Sequence, residues 1–197
     1  LARTALGYDW NYLADAETLL FGSTDETAFR MQNMTAGSGI TSATGEIYKA
    51  NVEVAGDLIT TTILIDVTGL NSSAGGDIIG DDGEANCHIG QITSALNGTI
   101  FAGYMTCLEV PTTGDPDIDV YSSTVATGTE DVAITHSDLA TEAALLTAGG
   151  DWTLAQTKAF TAYPAASTYL YLTNGGGTTD ATYATGIFVI KLYGYPA

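Results

Sequence analysis

The sequence is poor in cations. Five Lys+Arg stand against 23 Asp+Glu in 197 residues, a formal net charge of −18 with both histidines neutral. Arg3, Arg30, Lys49, Lys158 and Lys191 are scattered along the chain and make no patch able to displace counterions from phosphates, which excludes a nucleic-acid partner. Anionic membrane surfaces are disfavoured on the same ground. Long apolar runs are absent as well. They stop after a few residues, at Asp66 or Lys191, far short of the ~20 that a membrane-spanning helix needs. Nothing after Arg3 reads as a signal peptide, with an apolar stretch and a small-residue cleavage site. Motifs of chemistry are missing too: no serine nucleophile elbow, Cys/His nucleophile motif, phosphate loop or dinucleotide fingerprint is present.

What is there suits a core. Only 14% of residues are charged and 45% are hydrophobic, so the acidity reflects missing cations and differs from the dense charge of a disordered tail. One domain of this length buries roughly 70% of its unfolded surface. Residues 1–46 read as an arm, partly helical, with a helix capped by Asp9 carrying Trp10, Leu13, Leu20 and Phe21 and stopped by Gly22. A polar, Gly-bearing stretch follows, and Phe29, Met31 and Met34 must dock on something.

From residue 47 to 197 the apolar period is two, the signature of half-buried strands. Tyr48, Val52 and Val54 alternate with Lys49, Asn51 and Glu53, and Ile59, Thr61, Ile63, Ile65 and Val67 line one face of the next strand. A Gly-rich acidic loop covers residues 71–84. Asn97-Gly98 predicts a type I′ hairpin between strands at 87–93 and 100–110. Ile118 and Val120 alternate with Asp117 and Asp119, and Val132 with Ile134 marks a further short strand. Ser137 or Asp138 caps a short helix carrying Leu139, Ala143 and Leu146, ended by Gly149. Trp152, Leu154 and Phe160 share a face, and Leu170 and Leu172 alternate with Tyr169, Tyr171 and Thr173. In the final strand Phe188, Ile190 and Leu192 enter the core, while Ile187, Val189 and Tyr193 need a cover from the arm or a neighbouring subunit. The expected fold is an all-β antiparallel β-sandwich, a jelly roll of about eight strands with an N-terminal arm and one short helix, and a Greek-key immunoglobulin-like packing as the runner-up.

Candidate sites are few. In a two-residue hairpin at Asn97-Gly98, Cys87 faces Leu108 and not Cys107, so two buried thiols are preferred to a disulfide. Cys87, His88, Cys107 and His136 have zinc-ligand types without zinc-ligand spacing. Asp77, Asp81 and Asp82, with Glu84, and separately Asp115, Asp117 and Asp119, are weak Ca2+ or Mg2+ candidates; solvated carboxylates are the simpler expectation. The Gly175-Gly176-Gly177 run precedes no helix and so suits a loop better than a phosphate site. Sequons occur at Asn33, Asn71 and Asn97. The C-terminal tyrosines suit a sugar-stacking platform, a subunit interface or an ordinary amphipathic strand.

The stretch TYLYLTNGGG, a short Thr-rich loop, then TYATGIFVIKLYGY resembles the ends of virion structural proteins of marine tailed bacteriophages, particularly jelly-roll decoration or cement proteins. The likeness covers about the last thirty residues. It implies a trimer on the outside of a shell of major capsid protein, with neither enzymatic activity nor cofactor. On that reading Trp10, Leu13, Phe21, Phe29, Ile187, Val189 and Tyr193 form the assembly interface. A net charge of −18 would be repelled by packaged DNA, which points the protein outward. A phage tail or host-adhesion protein, and a secreted carbohydrate-binding or surface-layer sandwich, are the competing readings.

Overall fold

The computed structural model describes residues 19–21, 29–45, 47–135, 139, 141–177 and 180–197. Period-two burial is most regular in β4 (Leu58–Asp66), where Ile59, Thr61, Ile63 and Ile65 are buried and the residues between them are more open. β-Branched side chains suit such a pleated, half-buried surface. β4 pairs with β3 (Ile47–Ala55) through the turn at Asp57 and, on its other side, with β13 (Thr185–Tyr195). β13 lies between β4 and β7 (Thr99–Thr112). With β1 (Leu19–Phe21), β2 (Phe29–Asn33) and β10 (Thr157–Ala159) these strands make a seven-stranded antiparallel sheet, ordered β1-β2-β3-β4-β13-β7-β10.

A second antiparallel sheet has the order β6-β11-β8-β9, from β6 (His88–Ile92), β11 (Thr168–Asn174), β8 (Ile118–Ser123) and β9 (Ala143–Leu146). β5 (Asn71–Ser72) and β12 (Ala181–Thr182) form a small separate ladder. One hydrophobic core takes Ile63, Ile65, Met105, Phe188 and Ile190 from the first sheet and Ile89, Val120, Leu145, Leu170 and Leu172 from the second. The chain is therefore an all-β antiparallel sandwich, as the periodicity predicts. The strands beyond the expected eight are short, and β1 and β2 come from the arm.

Several local expectations give way. Leu20 and Phe21, expected on a helix, lie in β1 paired with β2; Asp9, Trp10 and Leu13 fall outside the described residues. The arm joins the main core through Met34 and Ile40, and Gly37 and Gly39 hydrogen-bond the backbone of His88 and Asn86. The helix expected after Ser137 or Asp138, themselves outside the described residues, is replaced by β9. Thr141 has φ 62, which no helix accommodates, and pairing with β8 overrides the helical preference of the Ala/Leu run. The described helices are instead two single turns, α1 (Ser38–Thr41) and α2 (Ser94–Asn97).

Asn97-Gly98 is not a hairpin turn. β6 and β7 lie in different sheets, and α2 with Gly98 carries the chain from one to the other. Thr93 caps α2, its hydroxyl accepting from Leu96 N–H at 3.1 Å. The expected Cys87–Leu108 pairing disappears with the hairpin, yet both thiols are free and buried as preferred. Residues 71–84 are less loop-like than expected. Ile78 and Ile79 are fully buried, Ile79 N–H bonds Leu172 O, and Ile78 N–H bonds Val132 O, so this segment prolongs the second sheet beyond the end of β6. Trp152 and Phe160 are buried, but Leu154 is 68% exposed because it lies in the turn between Trp152 and β10.

Candidate functional site

Most of the exposed large hydrophobic side chains among the described residues belong to strands of the seven-stranded sheet, on its outer face. Register places Ile187 beside Asp66, Val189 beside Leu64, Lys191 beside Thr62 and Tyr193 beside Thr60. On the other flank Val189 meets Thr106 and Lys191 meets Tyr104. Lys49 sits across from Leu64 on β3. The rings of Tyr104 and Tyr193 lie 6.2 Å apart, and those of Phe101 and Tyr195 6.1 Å apart. Ile47, Leu58, Phe101, Leu108 and Tyr195 are exposed large hydrophobic residues of these strands. Among the described side chains of β3, β4, β7 and β13, charge on this face is nearly balanced, two lysines (Lys49, Lys191) against Glu53, Asp66 and Glu109, although the whole chain carries −18. A broad face on which apolar and aromatic side chains alternate with hydroxyls and a few charges is of the kind that protein contacts use.

Of the expected interface residues, Ile187, Val189 and Tyr193 lie on this face, each partly exposed. Phe21 and Phe29 are register partners at the β1 edge of the same sheet, whereas Trp10 and Leu13 lie outside the described residues. Ile47, Leu58, Phe101 and Leu108 went unanticipated. Their signal was a large apolar residue out of phase with the buried set of its own strand.

The acidic candidates serve local backbone. Asp115 Oδ1 accepts from Asp117 N–H at 2.9 Å, and Asp119 Oδ1 accepts from Ala148 N–H. The glycine run packs against them. Asn174 Oδ1 accepts from Gly176 and Gly177 N–H at 3.2 and 3.1 Å, and a Cβ on Gly177 would stand 1.0 Å from Asp115 Oδ2. Asp77 accepts from Ala74 N–H at 3.1 Å. Near Asp81, Asp82 and Glu84, the buried Glu130 accepts from Gly83 N–H at 3.0 Å, a partner 47 residues away that no local pattern reveals. Among the described residues no group of three or more His, Cys, Asp or Glu is arranged to hold a metal, and His136 is outside them. Burial pushes the Cys87 thiol up to about 12, with the charges of Glu130, Asp81 and Glu84 adding, so it is inert as a nucleophile. The Asn97 sequon is closed to modification because its side chain is fully buried.

Burial also raises the carboxyl pKa values of Asp77, Asp119 and Glu130, with Asp131 and Asp82 adding to the effect at Glu130. A folded state that raises acid pKa values binds more protons than the unfolded chain, so this stabilisation is present at low pH and lost as pH rises through the folded values. His88, lowered by burial, works the opposite way below its ordinary 6.5. With three groups against one, the melting temperature is expected to rise as pH is lowered from 7 toward the ordinary carboxylate range, and more steeply in His88→Gln. A scanning-calorimetry pH series checks this, and a fall in melting temperature over that range would overturn it.

Fold and site together define an acidic antiparallel β-sandwich whose seven-stranded sheet presents, among the described residues, an open, nearly neutral aromatic face. Comparison with protein-family models, with curated proteins and with solved structures finds no match for this chain.

Proposed function

We propose that the chain is a non-enzymatic virion structural protein of the jelly-roll decoration, or cement, type, seated on the outer surface of a bacteriophage capsid and bound there to major capsid protein as a homo-oligomer, a trimer. The observation that carries the reading is the open sheet face. Its occupant is another copy of this chain. Over most of the surface −18 holds copies apart, but here two lysines answer three carboxylates and the apolar side chains of Leu64, Ile187 and Val189 gain from leaving water. The residual acidity keeps a densely displayed coat soluble and turned away from packaged DNA.

Sedimentation of the full chain in physiological salt is expected to give a mass of three chains. Val189→Asp places a charge at the centre of the face and is expected to reduce the mass to one chain, with the melting temperature of the monomer changed little because the site is at the surface. Labelling intact particles is expected to put signal over the capsid. A mass of one chain for the unaltered protein with no affinity for capsids, or signal confined to the tail, would overturn the proposal.

A further inference from the structure

A cleft of about 240 Å3 opens at the β6 edge of the four-stranded sheet, where it faces the end of β2 and the start of α2. Its aromatic wall is Tyr169, with the His88 ring tilted against it at a centroid distance of 4.9 Å. Asn33 and Gln91 add two carboxamides, each with a donor and an acceptor side, and Thr35 and Thr93 add hydroxyls. Met34 and Leu96 supply apolar surface. Among the described residues no Asp, Glu, Lys or Arg lines the cleft, in a chain with 23 acids, and burial lowers the His88 pKa so that its ring is neutral at pH 7. His88 Nδ1 is buried without a hydrogen-bond partner among the described residues.

These features select a ligand by chemistry. An anion is repelled by the field of the chain and finds no cation in the cleft to hold it. A purely apolar ligand would leave the carboxamides and hydroxyls without partners, which is costly once water is displaced. A ligand with an apolar C–H face and a rim of hydroxyls meets both demands, laying the face on Tyr169 and the hydroxyls on Asn33, Gln91 and the threonines. The volume lies below the roughly 300–1,000 Å3 of drug-sized sites, so it admits one ring. We propose that this cleft binds a single neutral pyranose, the terminal unit of a glycan. This assignment is independent of the open face of the other sheet.

The test is an NMR-monitored titration of the full chain with the methyl glycosides of glucose, galactose, mannose and N-acetylglucosamine. At least one is expected to saturate with a Kd of about 1 mM, the range of a small site. Tyr169→Ala and Gln91→Ala are each expected to weaken it tenfold or more. Asn33→Ala, at an exposed position and expected to leave the fold intact, should weaken the same glycoside, and Tyr195→Ala on the opposite sheet should leave it unchanged. Absence of saturation by all four glycosides, or saturation unaffected by Asn33→Ala and Gln91→Ala in folded protein, would overturn the assignment.

Discussion

Trp152→Ala is expected to lower the unfolding free energy by about 3–5 kcal/mol, the range for removing a buried aromatic side chain. Three losses coincide at this position. The ring is 1% exposed and stands edge-on to Phe188 at 5.5 Å, so its removal opens a cavity beside β13, an interior strand of the large sheet. Indole Nε1–H donates to Ile118 O at 2.8 Å, the first residue of β8, and that buried carbonyl would lose its partner. Lys158 Nζ lies 4.6 Å over the ring and donates to Ala148 and Gly150 carbonyls, so the substitution also removes the surface on which a part-buried cation rests. At about 2–4 °C per kcal/mol for a domain of this size, the melting temperature should fall by roughly 6–20 °C. Trp152→Phe keeps most of the volume and loses the donor, so it should cost roughly 1–3 kcal/mol. Urea denaturation with fluorescence and circular dichroism separates the two; a loss under about 1 kcal/mol for Trp152→Ala would mean the site collapses freely.

Some of this architecture is legible in the sequence and some is not. β4 was legible because its burial follows strict alternation, and β13 because apolar residues on both faces of one strand require both a core and a second cover. That doubling is also why Ile187, Val189 and Tyr193 can be placed on the sheet face away from the core. The alternation in β11 places Leu170 and Leu172 in the core but is silent about its other face, where Tyr171 and Thr173 are buried as well. Its outer side is packed by residues distant in the chain: Tyr171 donates to Val125 O at 2.6 Å and accepts from Gly128 N–H. The acidic stretch around residue 77 misled for a related reason. Glycine and aspartate mark loops, but Ile78 and Ile79 are held by β11 and by residues 132–134, contacts that composition cannot express. The 240 Å3 cleft was equally hidden, since Asn33, His88 and Tyr169 meet only after both sheets are in place.

The Asn97-Gly98 pair marks a sheet crossing where the dipeptide alone predicts a hairpin, and that setting yields the second large effect. A type I′ hairpin would make Gly98 sensitive mainly through its positive φ, whereas here the residue has φ 67 and ψ −152, a region essentially reserved to glycine, at the crossing between the two sheets. A Cβ added there would lie 2.2 Å from Tyr195 O and 2.8 Å from Tyr195 C, backbone atoms of β13 that cannot turn aside. The neighbouring Asn97 is fully buried and fixes the same junction, donating to Thr61 Oγ1 at 2.8 Å and accepting from Thr93 N–H at 2.9 Å. Gly98→Ala must therefore either push the end of β13 off β7 or unwind α2. Strain of about 1–3 kcal/mol from the backbone alone, with the clash added, puts the expected loss at roughly 3 kcal/mol or more. Gly56 supplies the control. Its φ is 62 but a Cβ there meets nothing within 4 Å, so Gly56→Ala should cost only the left-handed conformation, about 1–2 kcal/mol. Parallel urea titrations decide between close approach and simple turn conformation: equal losses at the two glycines would show that Gly98 acts as an ordinary turn residue, and a loss at least ~1.5 kcal/mol greater at Gly98 would show that the sheet crossing is wedged against β13.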